Sequence, residues 1–369
     1  MKLLLHIGLG KTGTTAFQRF CEVNEDVLRK SGYLYGGTLL ENVVQPGLLE
    51  DLGQVQRPQE LSCTLQRLDS VLRDHPSEAR TLIWSNEAFS MAHDPLVVIR
   101  NLDEYVRESR VFDSWEVFVV FRRQDQWLES AYKQWALKHK TYRGRRIMSA
   151  REYVDSVDYL LDYHELVSKW RDSSAIVHAC SYDSAMQAGG IVDYLVQRMG
   201  LRLPSDQLIN PGQVHGSLDH DLSMLMAMYN QNFETPQDPQ DFLWVLRDNG
   251  LTKNLHPSNS CFVSTELRQE VLDRCSDSNG RLEAEHFEVG EAFTRDPVAD
   301  KPLYEADPVQ LISRALPILV NQQRRLERQN QRIKALERRP GIPKVVLKTV
   351  QKLFRTAKQH HTLRRRPSR

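Results

Sequence analysis

The chain has 369 residues, 40% of them hydrophobic, and a formal net charge of +1. That composition supplies a full core and excludes an intrinsically disordered chain, and no run approaches the ~18 apolar residues that a bilayer-spanning helix needs. The five cysteines (Cys21, Cys63, Cys180, Cys261, Cys275) are scattered, odd in number and without metal-ligand spacing, which argues for a reducing, cytoplasmic setting rather than a disulfide framework.

The near-neutral total hides an asymmetry. From residue 321 to the end there are sixteen Lys/Arg and two Asp/Glu, a net +14, which leaves the rest of the chain at −13. A mildly acidic body carries a basic tail.

Residues 3–7 (Leu-Leu-Leu-His-Ile) read as a buried strand. The run is too short for a secretory leader and passes at once into Gly8, Gly10 and Gly13, with Lys11, Thr12, Thr14 and Thr15 among and after the glycines. A helical pattern begins near Thr15. Strand, glycine-rich turn and helix start together make a phosphate cradle: glycines let the backbone approach an anion, the open N–H groups of the first helical turn point at it, and lysine adds a mobile positive charge. The spacing differs from the nucleotide-triphosphate loop G-x-x-x-x-G-K-[ST], because Lys11 comes two residues before Gly13 instead of after the last glycine.

Short apolar strands then alternate with helical stretches, the mark of a parallel α/β sheet. Residues 32–53 are rich in turns. Residues 59–74 read as a helix and residues 81–85 (Thr-Leu-Ile-Trp-Ser) as a strand leading into Asn86 and Glu87. A helix over 95–110 precedes a second buried strand over 115–121, which ends in Arg122-Arg123. One long helix is expected from about 125 to 140, a strand over 175–179 leading to Ser181-Tyr182-Asp183, and a helix over 190–199. Beyond 201 the chain becomes loop-rich, with helices near 219–230 and 264–275. The α/β domain is expected to fill residues 1–295. A helical, basic extension should occupy 296–369, with a helix over 308–339 that Pro317 kinks and an imperfect heptad trace interrupted by Gln323 and Asn330. Residues 345–357 form a basic amphipathic segment.

A strand that delivers Arg122 to the carboxyl edge of a parallel sheet places it where α/β ligand clefts lie, and Ser130, eight residues on, sits one or two turns into the next helix. An arginine fork with a hydroxyl is a good receptor for a terminal phosphate, and Arg123 is a second candidate. With both segments in view, the chain resembles sulfotransferases that use 3′-phosphoadenosine-5′-phosphosulfate (PAPS). The order Lys11-Thr12-Gly13-Thr14-Thr15 resembles their 5′-phosphosulfate loop, and strand-Arg122-x7-Ser130 resembles their 3′-phosphate segment. The Lys-Thr-Gly-Thr-Thr form more closely resembles that of bacterial and Golgi-type members acting on carbohydrates.

The resemblance implies a three-layer α/β/α fold with a central, mostly parallel, P-loop-like sheet. It implies PAPS as donor, held by Gly10, Lys11, Thr12, Gly13, Thr14, Thr15, Arg122 and Ser130, with Tyr182 approaching the adenine. It also implies transfer of a sulfuryl group to a hydroxyl of a carbohydrate, polysaccharide or glycolipid without an obligatory metal. Lys11 would neutralise the leaving phosphate, and the strand preceding that of Arg122 would deliver the base, here Glu87, with His93 and His139 as rivals and His6 assigned to the core. The late Arg-Lys-Gly segment of small-molecule members has no counterpart in the body of this chain, so that part of the site is unassigned.

The basic tail suits anionic lipid at the inner face of the membrane or an acidic polysaccharide, and its heptad trace suits a homo-oligomer. No nucleic-acid-binding motif accompanies it, so nucleic acid is not expected as a partner. Two other readings stand beside the transferase. One is a nucleotide-dependent phosphotransferase, for which Asp125 is a poor Mg²⁺ ligand. The other is a non-catalytic glycan- or membrane-binding protein with a degenerate nucleotide site.

Overall fold

The computed structural model describes residues 1–45, 47–48, 58–74, 79–91, 95–212, 218–253, 255–256 and 258–337. His93, the segment over 345–357 and the final residues lie outside them.

The strands are β1 (Lys2–His6), β2 (Tyr33–Tyr35), β3 (Thr81–Ser85), β4 (Ser114–Phe121) and β5 (Ile176–Ser181). They form one sheet in the order β2-β3-β1-β4-β5, with every pair parallel. β1 is central and reads Leu-Leu-Leu because it is covered on both faces, as strands of parallel sheets are. From β1 the chain goes to β2 and β3 on one side. It then crosses over β1 to β4 and β5 on the other, so the switch point for ligand binding falls at the carboxyl end of β1.

Helices cover both faces. The early ones are α1 (Thr14–Val23), α2 (Glu25–Lys30), α3 (Pro58–Asp74), α4 (Ala88–Met91), α5 (Pro95–Glu108), α6 (Gln124–Ala131), α7 (Ala150–Ser156) and α8 (Tyr163–Arg171). After β5 come α9 (Tyr182–Gln187), α10 (Ile191–Arg198), α11 (His220–Asn230), α12 (Gln240–Asp248), α13 (Thr265–Arg274), α14 (Ser276–Glu285) and α15 (Pro308–Glu337). On one face Leu3, Leu5, Leu82, Trp84, Val117 and Val119 pack with Leu65, Leu68, Val98, Leu102, Val167 and Trp170 from α3, α5 and α8. On the other, Leu4, Ile83, Phe118 and Val120 meet Phe17, Phe20 and Cys21 of α1 and Tyr194 and Leu195 of α10. The alternation of Leu3, Leu4 and Leu5 between these two clusters is the period-2 geometry of a strand. The fold is therefore a three-layer α/β/α sandwich. A third cluster joins Trp127, Leu128 and Tyr132 to Tyr153, Leu160, Val263 and Val271.

The structure departs from the sequence reading at several places, α9, α12 and α14 among them. The turn-rich stretch after residue 32 contains the short edge strand β2. The expected single helix over 125–140 is α6 followed by a π-helical segment, Tyr132–Lys138, whose end is marked by His139 N–H donating to the Gln134 carbonyl at 2.7 Å. Residues 141–174, which the periodicity left unassigned, hold α7 and α8. α7 starts at a capping box in which Ser149 and Glu152 serve each other, and α8 starts at Asp162, whose carboxylate accepts from Glu165 N–H.

The chain divides into two compact units. One comprises Met1–Pro239 with His256–Glu305 and contains the sheet; the other comprises Gln240–Leu255 and the chain from Ala306 onward. In the second unit Leu311 and Ile318 of α15 are buried, whereas Val309, Ile312, Leu316 and Leu319 are exposed. α15 continues through Pro317. Arg325 lies over the Trp244 ring at 5.8 Å and pairs with Asp248, and Asn321 donates to Asn249 at 2.7 Å. Among the described residues no helix is long and apolar enough to cross a membrane, and the five cysteines are unbridged.

Candidate functional site

The loop from Gly8 to Thr14 leaves the central strand and opens α1. Two of its glycines are fixed by what surrounds them. A methyl group at Gly10 would stand 2.7 Å from the Trp135 indole, and Gly13 combines φ +88° with a methyl position 2.7 Å from the Ile191 side chain. Lys11 itself adopts φ 72°. A lysine in the left-handed region costs on the order of 1 kcal/mol and is held there by its surroundings, as strained residues at binding sites are. Trp127 Nε1–H donates to the Gly10 carbonyl at 2.9 Å and the Thr12 hydroxyl to the Leu9 carbonyl at 2.5 Å, which ties the loop down from beneath. Left-handed turns at residues 11 and 13 curl successive N–H groups into a concavity. α1 starts at Gly13 with no side-chain cap, so its first N–H groups remain for an anion.

The charges around the loop converge on Lys11. Its pKa is lowered, first by burial and then by Lys138, Arg122 and Lys133, with Glu87 opposing. Three cations press on a fourth, and one carboxylate answers them. Such a gathering calls for an anion.

Arg122 leaves the end of β4. Its Nε–H donates to Gln126 Oε1 at 3.3 Å and its guanidinium lies over the Tyr182 ring at 5.0 Å. Lys11 follows β1, Glu87 follows β3, Arg122 follows β4 and Tyr182 follows β5, so the four stand at one edge of four adjacent parallel strands. Ser130 is half-buried on α6, one turn beyond Gln126 on the same helix face. Arg123 is committed elsewhere. It is buried, forks onto Asp125 at 2.7 and 2.9 Å, and also donates to the carbonyls of Thr294 and Asp296 at 2.8 and 2.5 Å. The sequence candidate Arg123 is therefore a structural strut, because its donors are already spent.

Glu87 is half-buried and accepts from Gln18 Nε2–H at 3.3 Å. Capping of α4 falls to Asn86, whose Oδ1 accepts from Ala88 N–H at 2.9 Å, which leaves the Glu87 carboxylate out of that role. His139 has a carboxylate partner, with Nδ1 2.8 Å from Asp238 Oδ1. Its pKa is lowered by burial first and then by Lys138, with Asp238 opposing and Lys11 adding to the depression. Its lowered pKa favours the neutral imidazole in the field of Lys11, and His139 stays a rival candidate to Glu87. His6 lies in the core, where burial holds its pKa at about 3.

Sequence reasoning missed Lys133 and Lys138. In an α-helix residues five apart point about 140° away from each other, whereas a π-turn bonds residue i to i+5 and brings them to one side. The signal was their five-residue separation, invisible to a reading at period 3.6.

A further cluster lies at α8 and α14. His164 Nε2 is 3.0 Å and His286 Nε2 4.0 Å from Glu285 Oε2, and the three could be metal ligands by distance. Arg171, however, donates to His286 Nδ1 at 2.7 Å. A neutral imidazole that accepts at Nδ1 carries its proton on Nε2, the nitrogen that would have to bind the ion. The residues therefore do not fit a metal in this arrangement.

No protein-family model matches the chain. It is similar to an uncharacterised protein of Archaeoglobus fulgidus, 26% identical over 183 residues, which covers 48% of this chain and 47% of the relative. The chain thus matches about half the length of that curated relative.

Proposed function

We propose that the protein transfers a sulfuryl group from PAPS to a hydroxyl of a carbohydrate, polysaccharide or glycolipid. The observation that carries this reading is the convergence of Arg122, Lys133 and Lys138 on Lys11 beside an uncapped helix start, with Arg122 stacked on Tyr182. A donor with two anionic ends and an adenine suits this arrangement: a loop with open N–H groups and the buried Thr14 hydroxyl, which has no partner among the described residues, on one side, and an arginine over an aromatic ring on the other.

PAPS supplies an activated sulfuryl group, which passes to the acceptor oxygen as the sulfur–oxygen bond to the phosphate breaks and adenosine 3′,5′-bisphosphate departs. The residues do the rest. Lys11 and the N–H groups at Gly13 to Thr15 offset the charge that builds on the phosphate oxygen. Arg122 and Ser130 hold the 3′-phosphate, and Tyr182 lies against the base. Glu87 takes the acceptor proton, with Gln18 orienting it.

The unbridged cysteines suit a cytoplasmic protein. The net +14 from residue 321 onward suits contact with the inner face of a membrane. The exposed Val309, Ile312, Leu316 and Leu319 of α15 suit a homo-oligomer. Binding of adenosine 3′,5′-bisphosphate in preference to ATP, in the absence of Mg²⁺, tests the donor assignment. Preference for Mg²⁺–ATP would favour a phosphotransferase instead.

A further inference from the structure

Beneath the anion loop lies a hydrogen-bond chain that the proposed reaction does not yet use. His6 and Ser85 are register partners on β1 and β3, and His6 Nδ1 is 2.8 Å from Ser85 Oγ. Both side chains are buried, and the imidazole stands edge-on to Phe17 of α1 at 5.2 Å. On the far side of the ring, Nε2 has no partner among the described residues, and neither has the Thr14 hydroxyl, although both are fully enclosed. These two atoms face the same space. A methyl group at Gly8 would lie 3.0 Å from His6 Nε2, 3.1 Å from Thr12 Oγ1 and 3.3 Å from Thr14 Oγ1. Only the missing side chain of Gly8 leaves room for the three to approach.

The protons can be assigned. Ser85 Oγ is buried, and His6 Nδ1 is its partner among the described residues. The serine hydroxyl therefore donates to Nδ1. Burial keeps the ring neutral, so its single proton sits on Nε2. The Thr12 hydroxyl already donates to the Leu9 carbonyl. Thr14 Oγ1 is left as an open acceptor beside an open Nε2–H donor.

We propose that His6 is a positioning residue for the anion loop: when an anion occupies the loop, His6 Nε2–H donates to the Thr14 hydroxyl oxygen and turns the hydroxyl proton toward the ligand's phosphate. The chain runs Ser85 to His6 to Thr14 to ligand, each hydroxyl donating onward. It explains why a histidine interrupts the otherwise aliphatic Leu3–Leu5 strand just before the loop, and why Gly8 has no side chain. The inference rests on the reading of the loop as a 5′-phosphosulfate site.

The test is calorimetric titration with two nucleotides, adenosine 3′,5′-bisphosphate and adenosine 3′-monophosphate, which lacks the phosphate that the loop would hold. His6→Asn keeps a group near Nδ1 for Ser85 but removes the one at Nε2. His6→Gln reaches the Nε2 position with an amide N–H. The expected result is a loss of about tenfold in bisphosphate affinity for His6→Asn, under twofold for the monophosphate, and near-wild-type binding of both by His6→Gln. Equal losses for the two nucleotides would mean a packing role only, and no loss would mean none; either overturns the proposal. Should His6→Asn fail to fold, Ser85→Ala removes the group that sets the tautomer. It should show the same selectivity at about threefold, and its absence is equally fatal. A wild-type chain that ignores the bisphosphate overturns the donor reading and this proposal with it, whereas wild-type binding with unselective variants overturns only the role of His6.

Discussion

The guanidinium of Arg122 lies 5.0 Å from the centroid of the Tyr182 ring, joining the ends of two adjacent strands, β4 and β5. An arginine stacked in this way keeps its in-plane N–H groups available around the rim, while its face is occupied by the aromatic. The next residue, Arg123, has the opposite fate, with its N–H groups consumed by Asp125 and two backbone carbonyls. Neighbouring arginines thus separate into one available for a ligand and one that braces the fold.

That separation should appear in stability. Arg123→Ala leaves Asp125, 2% exposed, without its counter-charge. The expected loss is about 3–5 kcal/mol, seen as an early urea midpoint, whereas Arg122→Ala should stay within about 0.5 kcal/mol of wild type. Equal effects would contradict the division.

Activity should separate the two ends of the pocket. Lys11→Ala is expected to lower kcat by about a hundredfold or more, because the lysine acts where charge develops on the leaving group. Arg122→Ala should raise the donor KM by about tenfold with kcat little changed. The check is a steady-state assay with radiolabelled donor over a panel of glycans and glycolipids.

The base is decided by comparing two variants. Glu87→Gln should reduce kcat by ~10²-fold or more and leave adenosine 3′,5′-bisphosphate affinity little changed. His139→Asn should have a small effect on kcat. If the magnitudes are reversed, the His139–Asp238 pair is the base and Glu87 only tempers Lys11.

Acid should weaken the fold in a defined window. His6 is held at about 3 by burial, against about 6.5 for an exposed histidine. Below pH 6.5 the unfolded chain binds a proton that the folded one refuses, so stability falls as pH drops from 6.5 toward 3. His6 alone should cost about 2 kcal/mol between pH 7 and pH 5. His220, lowered to about 4 chiefly by burial, acts in the same direction. Urea melts at pH 7 and 5 should show the drop, and a His6→Asn variant should lose part of it. An unchanged pH difference in that variant would place the acid sensitivity elsewhere.

Gly13→Ala combines a φ of +88° with a clash at Ile191. It should destabilise the loop by about 1–2 kcal/mol and weaken bisphosphate binding, and Ile191→Ala in the same chain should return part of the binding. No recovery would mean that φ, and not the isoleucine, is the governing constraint.

The sheet was legible in the sequence because strands covered on both faces are short unbroken apolar runs; Leu3–Leu5 and Trp115–Phe121 could hardly be anything else. The loop and Arg122 were legible because glycine, lysine and strand-end arginine have local meaning. β2 was hidden by its three-residue length and its turn-rich neighbourhood. The commitment of Arg123 depends on Thr294 and Asp296, some 170 residues away, a contact with no local trace. His6 was read as a core residue and is one; the role proposed for it rests on two atoms without partners among the described residues, which only packing brings together.

The winding of residues Tyr132–Lys138 has one further consequence. A π-turn amounts to a single surplus residue lodged in a helix. Deleting any one of residues 134–137 would let the segment relax to ordinary α geometry, swinging Lys138 by roughly 100° about the axis. The positive rim around Lys11 is thus set by a count of residues as much as by their identity, and a one-codon loss between positions 134 and 137 would re-aim that rim without altering a single charge.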